Sequence, residues 1–233
     1  MPVNFKMIKV VHVSHPVYKK PLWDKGFLLR EHVGQGKLFL DVGCGDSFLA
    51  EVVRAEGNRV ICLDITREAV ENARRNDFPS IRCDAQKLPI RDNVFDGSMC
   101  LEVLEHLLSP NAALKEIHRV LKPDGMLIVS TPNLVSLELR ISILIGYGFG
   151  ILTGHGIRYP DEKKHIRFFT LRSLTRLLMN TGFKPVFTTG TEFPIKLSWL
   201  PKSLYPFGLK LKKFLGRILK TFSYSLFIKS HKV

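Results

Sequence analysis

Leu40-Asp41-Val42-Gly43-Cys44-Gly45-Asp46-Ser47 is the stretch on which the fold turns. The run from Lys37 to Val42 is apolar and β-forming, and predicts a strand. Two glycines separated by one residue let the backbone turn sharply and come close to a ligand. The stretch from about Ser47 to Glu56 has helical spacing, so a helix opens with free amide donors directed at whatever the turn holds. Strand, glycine turn and helix by themselves only hint at a nucleotide site. Position 48 is Phe48 rather than the third glycine of the dinucleotide fingerprint, which disfavours a nicotinamide or flavin cofactor.

Outward from this turn the chain alternates short apolar runs with amphipathic stretches. Arg59 to Leu63 predicts a second strand closed by Asp64, with Thr66 as N-cap of a helix over Arg67 to Asn76. A short strand then reaches Cys83, just before Asp84-Ala85. Phe95 to Leu101 predicts a fourth strand, and Asn111 to Leu121 a helix that Lys122-Pro123-Asp124-Gly125 stops. Met126 to Ser130 is the fifth strand, Leu171 to Thr181 a helix ended by Gly182, Lys184 to Thr189 a sixth strand, and Tyr224 to Lys229 the last. Helical crossovers between strands imply a parallel sheet, with ligands beyond the carboxyl ends of the strands. Asp64 lies there, nineteen residues after Gly45, where a carboxylate can accept hydrogen bonds from two ribose hydroxyls.

Five segments occur together in order: Asp41-Val42-Gly43-Cys44-Gly45, Asp64, Asp84-Ala85, Glu102-Val103-Leu104-Glu105-His106 and Leu121-Lys122-Pro123-Asp124-Gly125. In this the chain resembles the class I S-adenosylmethionine-dependent methyltransferases of the ubiquinone-biosynthesis, small-molecule type. The likeness covers Lys37 to Asn133 and continues more weakly through His165-Ile166-Arg167-Phe168-Phe169-Thr170. It implies an α/β fold, a three-layer Rossmann-like sandwich whose seven-stranded, mostly parallel sheet ends in an antiparallel last strand. It implies S-adenosyl-L-methionine as cofactor and S-adenosyl-L-homocysteine as product. By the same resemblance Asp41, Gly43 and Gly45 line the methionine half of the cofactor and Asp64 holds the ribose. Asp84 meets the adenine amino group, Ile65 and Ala85 flank the ring, and Leu101 makes contact from the end of the fourth strand. The family usually has glycine where this chain has Ser47.

Methyl transfer from a sulfonium is a direct displacement, so positioning supplies much of the rate. An oxygen nucleophile also calls for a base, and His106 and His165 are the catalytic candidates. The alternative for the Glu105-His106 pair is ordering of its loop. Glu102, Glu105, His106 and His165 also carry ligand types suited to a divalent metal, but the same string occurs in metal-free relatives, and no metal ligand is assigned. The expected reaction is O-methylation of a small-molecule, glycan or lipid-linked acceptor. An RNA or protein methyltransferase and a non-catalytic nucleotide-fold binding protein are the competing readings.

The 233 residues, 45% hydrophobic, suffice for one core, and a single methyltransferase domain over 1–233 is expected. Within it, 1–36 reads as an N-terminal helical cap, 37–133 as the cofactor-binding core, 134–170 as a substrate lid and 191–222 as a basic insertion. The first twenty residues lack an uninterrupted apolar core of a secretory signal, and the longest uncharged stretch, Ile141 to His155, is too short to span a bilayer. A cytoplasmic location follows, with peripheral attachment to a membrane surface left open. Cys44, Cys62, Cys83 and Cys100 have no paired spacing and read as free thiols.

The formal charge is +14, and no acidic residue follows Glu192, whereas nine basic ones do. Within the insertion, Leu211, Phe214, Leu215, Ile218, Leu219 and Phe222 recur at helical spacing, with Lys210, Lys213, Arg217 and Lys220 on the other side. Such a basic amphipathic helix either packs its apolar face on the sheet or lies on an anionic membrane. Nucleic acid is the weaker alternative, because nothing in the sequence reads bases, and a homodimer contact through the lid is also compatible.

Overall fold

A computed structural model describes residues 21–146, 165–191, 193, 201 and 204–233. Seven strands form one sheet in the order β3-β2-β1-β4-β5-β7-β6. They are β1 (Leu38–Val42), β2 (Arg59–Asp64), β3 (Ser80–Arg82), β4 (Phe95–Leu101), β5 (Leu121–Pro132), β6 (Phe183–Thr191) and β7 (Ser225–Lys232). β1 to β5 pair in parallel, and β7 runs antiparallel to both its neighbours, β5 and β6. The expected mostly parallel sheet with an antiparallel last strand is what the chain forms.

The helices are α1 (Pro21–His32), α2 (Phe48–Ala55), α3 (Arg67–Arg75), α4 (Pro110–Val120), α5 (Leu137–Leu144), α6 (Leu171–Asn180) and α7 (Tyr205–Ile218). Successive strand residues point to opposite faces, and two cores result. On one face Leu29, Val53 and Ala73 of α1, α2 and α3 meet Phe39, Met99 and Ile128. On the other, Leu114 and Ile117 of α4 and Leu174 and Leu178 of α6 meet Leu40, Cys100 and Leu127. Burial on both sides explains why residues 38–40 of β1, 99–101 of β4 and 126–129 of β5 read as continuous apolar runs rather than alternating ones.

Local chemistry sets the helix ends. The Thr66 hydroxyl accepts from Ala69 N (3.4 Å) at the start of α3. Ser109 does the same for Ala112 N ahead of Pro110 (3.3 Å), and Thr170 and Ser173 cap α6 reciprocally. The largest boundary difference concerns Lys122-Pro123-Asp124-Gly125. It is not a turn before a strand starting at Met126 but an irregularity inside β5, whose pairing with β4 jumps from Phe95–Leu121 to Gly97–Met126.

The insertion also departs from expectation. The helix runs from Tyr205 to Ile218, and a separate 3-10 turn covers Lys220–Phe222. It approaches β6 through glycine, since a Cβ on Gly216 would lie 2.8 Å from the Gly190 carbonyl oxygen. Phe207, Leu211, Phe214 and Ile218 are left exposed, so the apolar side of this helix does not rest on the sheet. Of the expected lid, α5 and its end at Gly146 are described, while 147–164 lie outside the described residues. Among the described residues no helix is long and apolar enough to cross a membrane, and all four cysteines are free.

Candidate active site

The turn after β1 is built as its glycines require. Gly43 N and Cys44 N donate to the Leu63 carbonyl at 2.7 and 3.0 Å, bending the chain back over β2. Gly43 has φ +76°, and Val103 Cγ2 occupies the place a Cβ would take. Gly45, at φ +51°, has nothing within 4 Å of that place, so its side of the turn is open to a ligand. Ser47 adopts φ 61° and ψ 11°, the left-handed conformation that glycine tolerates best. Its buried hydroxyl donates to the Asp46 carbonyl (2.6 Å) and accepts from Asn76 Nδ2 (2.8 Å). Those two bonds hold a serine in glycine's backbone conformation.

Three aspartates stand at successive strand ends. Asp41, on β1, is buried, and its carboxyl is pushed up to about 8, first by burial and then by the charges of Asp64 and Asp46. Asp64 ends β2; one oxygen accepts Gly45 N at 3.2 Å and the other accepts the Thr66 amide and hydroxyl, each at 2.9 Å. A carboxylate offers about four lone-pair sites, so capacity remains on the oxygen that faces the glycine turn. Asp84, beyond β3, accepts the Gln86 backbone amide (2.9 Å) and side-chain amide (3.1 Å). Ile65 is 63% exposed, unusual for a large apolar side chain at a strand end, whereas Ala85 and Leu101 are buried.

A second group gathers past β4. Glu102 has φ 57°, a conformation that costs a non-glycine residue energy and that tends to mark functional sites. One oxygen of its carboxylate accepts from the buried Lys25 of α1 (2.9 Å) and from Ser130 Oγ (2.8 Å). Glu105, in the 3-10 turn Leu104–His106, is 1% exposed, and neither carboxyl oxygen has a hydrogen-bond partner among the described residues. Burial, then the charge of Glu102, hold this carboxyl well above its ordinary range. His106 and His165 face one another with ring centroids 4.7 Å apart, and both are exposed. One ligand atom each from Glu105, His106 and His165 lie within 4.8 Å of one another. The Glu105 carbonyl accepts Ile166 N (2.9 Å) and Arg167 N (3.0 Å), which fastens the His165 segment to the turn after β4.

Asp41, Gly43, Gly45 and Asp64 are thus gathered around one turn, with Ile65, Asp84 and Ala85 following at the ends of β2 and β3. His106 and His165 form the second cluster. Glu102, grouped by sequence with Glu105 and His106 as ligand types, is engaged by Lys25 and Ser130 instead. Lys25, Ser130 and Asn76 were not legible as site residues. Their partners are 77, 28 and 29 residues away, and only the folded sheet brings them together.

The family model of a methyltransferase domain matches residues 40–129. The ubiquinone biosynthesis O-methyltransferase of Actinobacillus pleuropneumoniae is 34% identical over 122 residues, covering 48% of this chain and 52% of that protein. The chain therefore spans about half the length of that curated relative. Among solved structures, a Thermotoga maritima S-adenosylmethionine-dependent methyltransferase described as a possible histamine N-methyltransferase superposes with a TM-score of 0.67 at 20% identity, covering 91% of this chain and 90% of that one. The [4+2]-cyclase SpnF superposes with a TM-score of 0.62 at 20% identity, over 89% of this chain and 80% of its own. At such identities the superpositions speak for the fold alone, and SpnF makes plain that one fold serves more than one reaction. With the domain match over its core, the glycine turn after β1 and the sheet order, residues 40–129 form a methyltransferase domain, and the chain has the fold of the class I S-adenosylmethionine-dependent methyltransferases.

Proposed function

We propose that this chain transfers the methyl group of S-adenosylmethionine to an oxygen of a small-molecule, glycan or lipid-linked acceptor, with His106 and His165 as the groups that take up the proton. The observation that carries the reading is the pair of exposed imidazoles 4.7 Å apart at the carboxyl end of β4, one strand away from the glycine turn. The methyltransferase domain implies the cofactor, and the residues present fit it. The open side of Gly45 admits a close-lying ligand, Asp64 retains acceptor capacity for ribose hydroxyls, and Ile65 offers an uncovered apolar surface to a flat ring. Ala85 would back that ring, Asp84 would accept from its amino group after releasing Gln86, and Asp41 and Leu101 would border the methionine half.

When bound, S-adenosylmethionine supplies an electrophilic methyl group. The chain's own part is to hold the acceptor in line and to relieve its hydroxyl of a proton, which a neutral imidazole does near neutral pH. α5, which follows β5 at the end of the sheet that carries the two histidines, is the described part of the expected lid over 134–170, whose part would be to cover the acceptor and exclude water.

The test is incubation with S-adenosylmethionine and a panel of catechols, phenols, sugars and prenylated phenols, with S-adenosylhomocysteine and methylated product followed by mass spectrometry. Oxygen-methylated product that falls at least about 100-fold in His106→Ala or His165→Ala supports the reading. Cofactor binding with no product from any acceptor favours the non-catalytic reading, and methylated RNA or protein favours the other. A second reading has one observation behind it, the approach of Glu105, His106 and His165. A divalent cation there would lower the pKa of an acceptor hydroxyl, and full turnover after exhaustive chelation removes that reading.

A further inference from the structure

The exposed stripe of α7 has no role in the chemistry above. Phe207, Leu211, Phe214 and Ile218 are 67, 41, 58 and 60% exposed. Their spacing of four, three and four residues puts them on one face of the helix, the face turned away from Gly190 and β6. A second exposed apolar group closes α5, where Ile141, Ile143, Leu144 and Ile145 lie on the surface. The two helices are joined through the 3-10 turn Lys220–Phe222, which packs on α5, the Arg140 guanidinium lying 4.6 Å over the Phe222 ring. Soluble proteins seldom leave so many large apolar side chains uncovered in neighbouring places without a partner.

We infer that α7, with the end of α5 beside it, docks this protein on an anionic lipid surface. The charge pattern decides between occupants. α7 holds Lys210, Lys212, Lys213 and Arg217, Lys220 follows it, and the chain has no acidic residue after Glu192; Arg217 pairs with Glu31 of α1 at 3.2 Å and Lys220 donates to Thr188 Oγ1 at 2.7 Å, which leaves the three lysines of α7 to carry the argument. At about 100° per residue, backbone positions 210 and 217 fall along one border of the stripe. A second copy of the chain would bring a like-charged helix against this one, which is unfavourable. Nucleic acid would match the charge and leave the phenylalanines without a purpose. An anionic bilayer satisfies both, the apolar stripe entering the acyl boundary and the basic residues meeting the headgroups.

The inference deepens the proposed function, on which it rests for one consequence only. β5 and β6 run the same way, and α5 and the turn Lys220–Phe222 lie at the end of the sheet where β5 and β6 finish and β7 begins. The lipid would therefore be met at the end that carries the two histidines, which suits an acceptor borne by the membrane.

The test is sedimentation with phosphatidylglycerol–phosphatidylcholine vesicles and with phosphatidylcholine alone, at low and high salt. Wild type is compared with Phe214→Ser/Ile218→Ser and with Lys210→Glu/Lys213→Glu. Circular dichroism and calorimetric S-adenosylmethionine binding are run on every sample. Expected is binding to the anionic vesicles that weakens with salt and falls at least about tenfold in each double variant, while cofactor binding stays unchanged. Absence of the wild type from the anionic pellet at low salt overturns the inference, as does binding indifferent to Phe214 and Ile218, or a solution dimer that dissociates when those two are changed. RNA binding that depends on the lysines and not on Phe214 assigns the face to nucleic acid instead. Because cofactor binding and turnover on soluble acceptors are measured separately, lost vesicle binding and a failed methyltransferase reading are told apart.

Discussion

On the proposed reading of the site, Asp41 should tie cofactor binding to a proton. Its carboxyl stands at about 8 in the ligand-free protein, so at pH 7 it is protonated in roughly nine molecules of ten. The methionine half of S-adenosylmethionine carries an ammonium and a sulfonium, and a positive ligand beside Asp41 favours the ionised form. Binding at pH 7 should therefore expel up to about 0.9 proton, and affinity should rise by up to about tenfold per pH unit until it levels near pH 8. Calorimetry at pH 7 in two buffers of different ionisation enthalpy reads the proton directly, and Asp41→Asn should abolish it while weakening binding at least about tenfold.

Stability moves the opposite way. The folded pKa lies above the unfolded value, so the folded state binds the extra proton between about pH 4 and pH 8. Stability from this group is fully present below about pH 4 and is lost as pH rises through 8. Asp41→Asn should accordingly gain on the order of 3–5 kcal/mol over wild type at pH 8.5, and that gain should shrink toward pH 5. Identical binding enthalpies in the two buffers, or an Asp41→Asn protein that still releases the proton, would refute the reasoning.

Two substitutions test the supports of the site. Lys25→Met leaves Glu102 without its ion-pair partner at a third-exposed position, and urea unfolding should show a loss of about 2 kcal/mol, with Glu102→Gln recovering part of it in the double variant. Gly43→Ala forces a Cβ into Val103 at φ +76°. A loss of about 2–3 kcal/mol in thermal unfolding, and of cofactor binding in calorimetry, is expected.

Much of this was legible in the sequence because its signals are local. The glycine turn, the cap at Thr66, the stop at Gly182 and the runs of β1, β2 and β4 each depend on residues within a few positions of one another. What stayed hidden depends on the sheet. α1 has little amphipathic pattern, its residues Leu28 and Leu29 being buried beside an equally buried Lys25, so nothing in the sequence marks that lysine as a partner of Glu102. Ser47 looks like a defect in the turn until Asn76 is brought beside it. The apolar period of α7 is visible, but the side that faces the sheet is decided by Gly190 and Gly216, two residues without side chains to advertise it.

The bonds from the Glu105 carbonyl to Ile166 and Arg167 join two segments that lie far apart in the chain. The segment that follows His165 is fastened to the turn that also carries His106, so a backbone contact, and not only the meeting of the two rings, ties the pair together. A side-chain change in either segment leaves those two backbone bonds in place, so the join tolerates sequence drift that a contact between side chains would not.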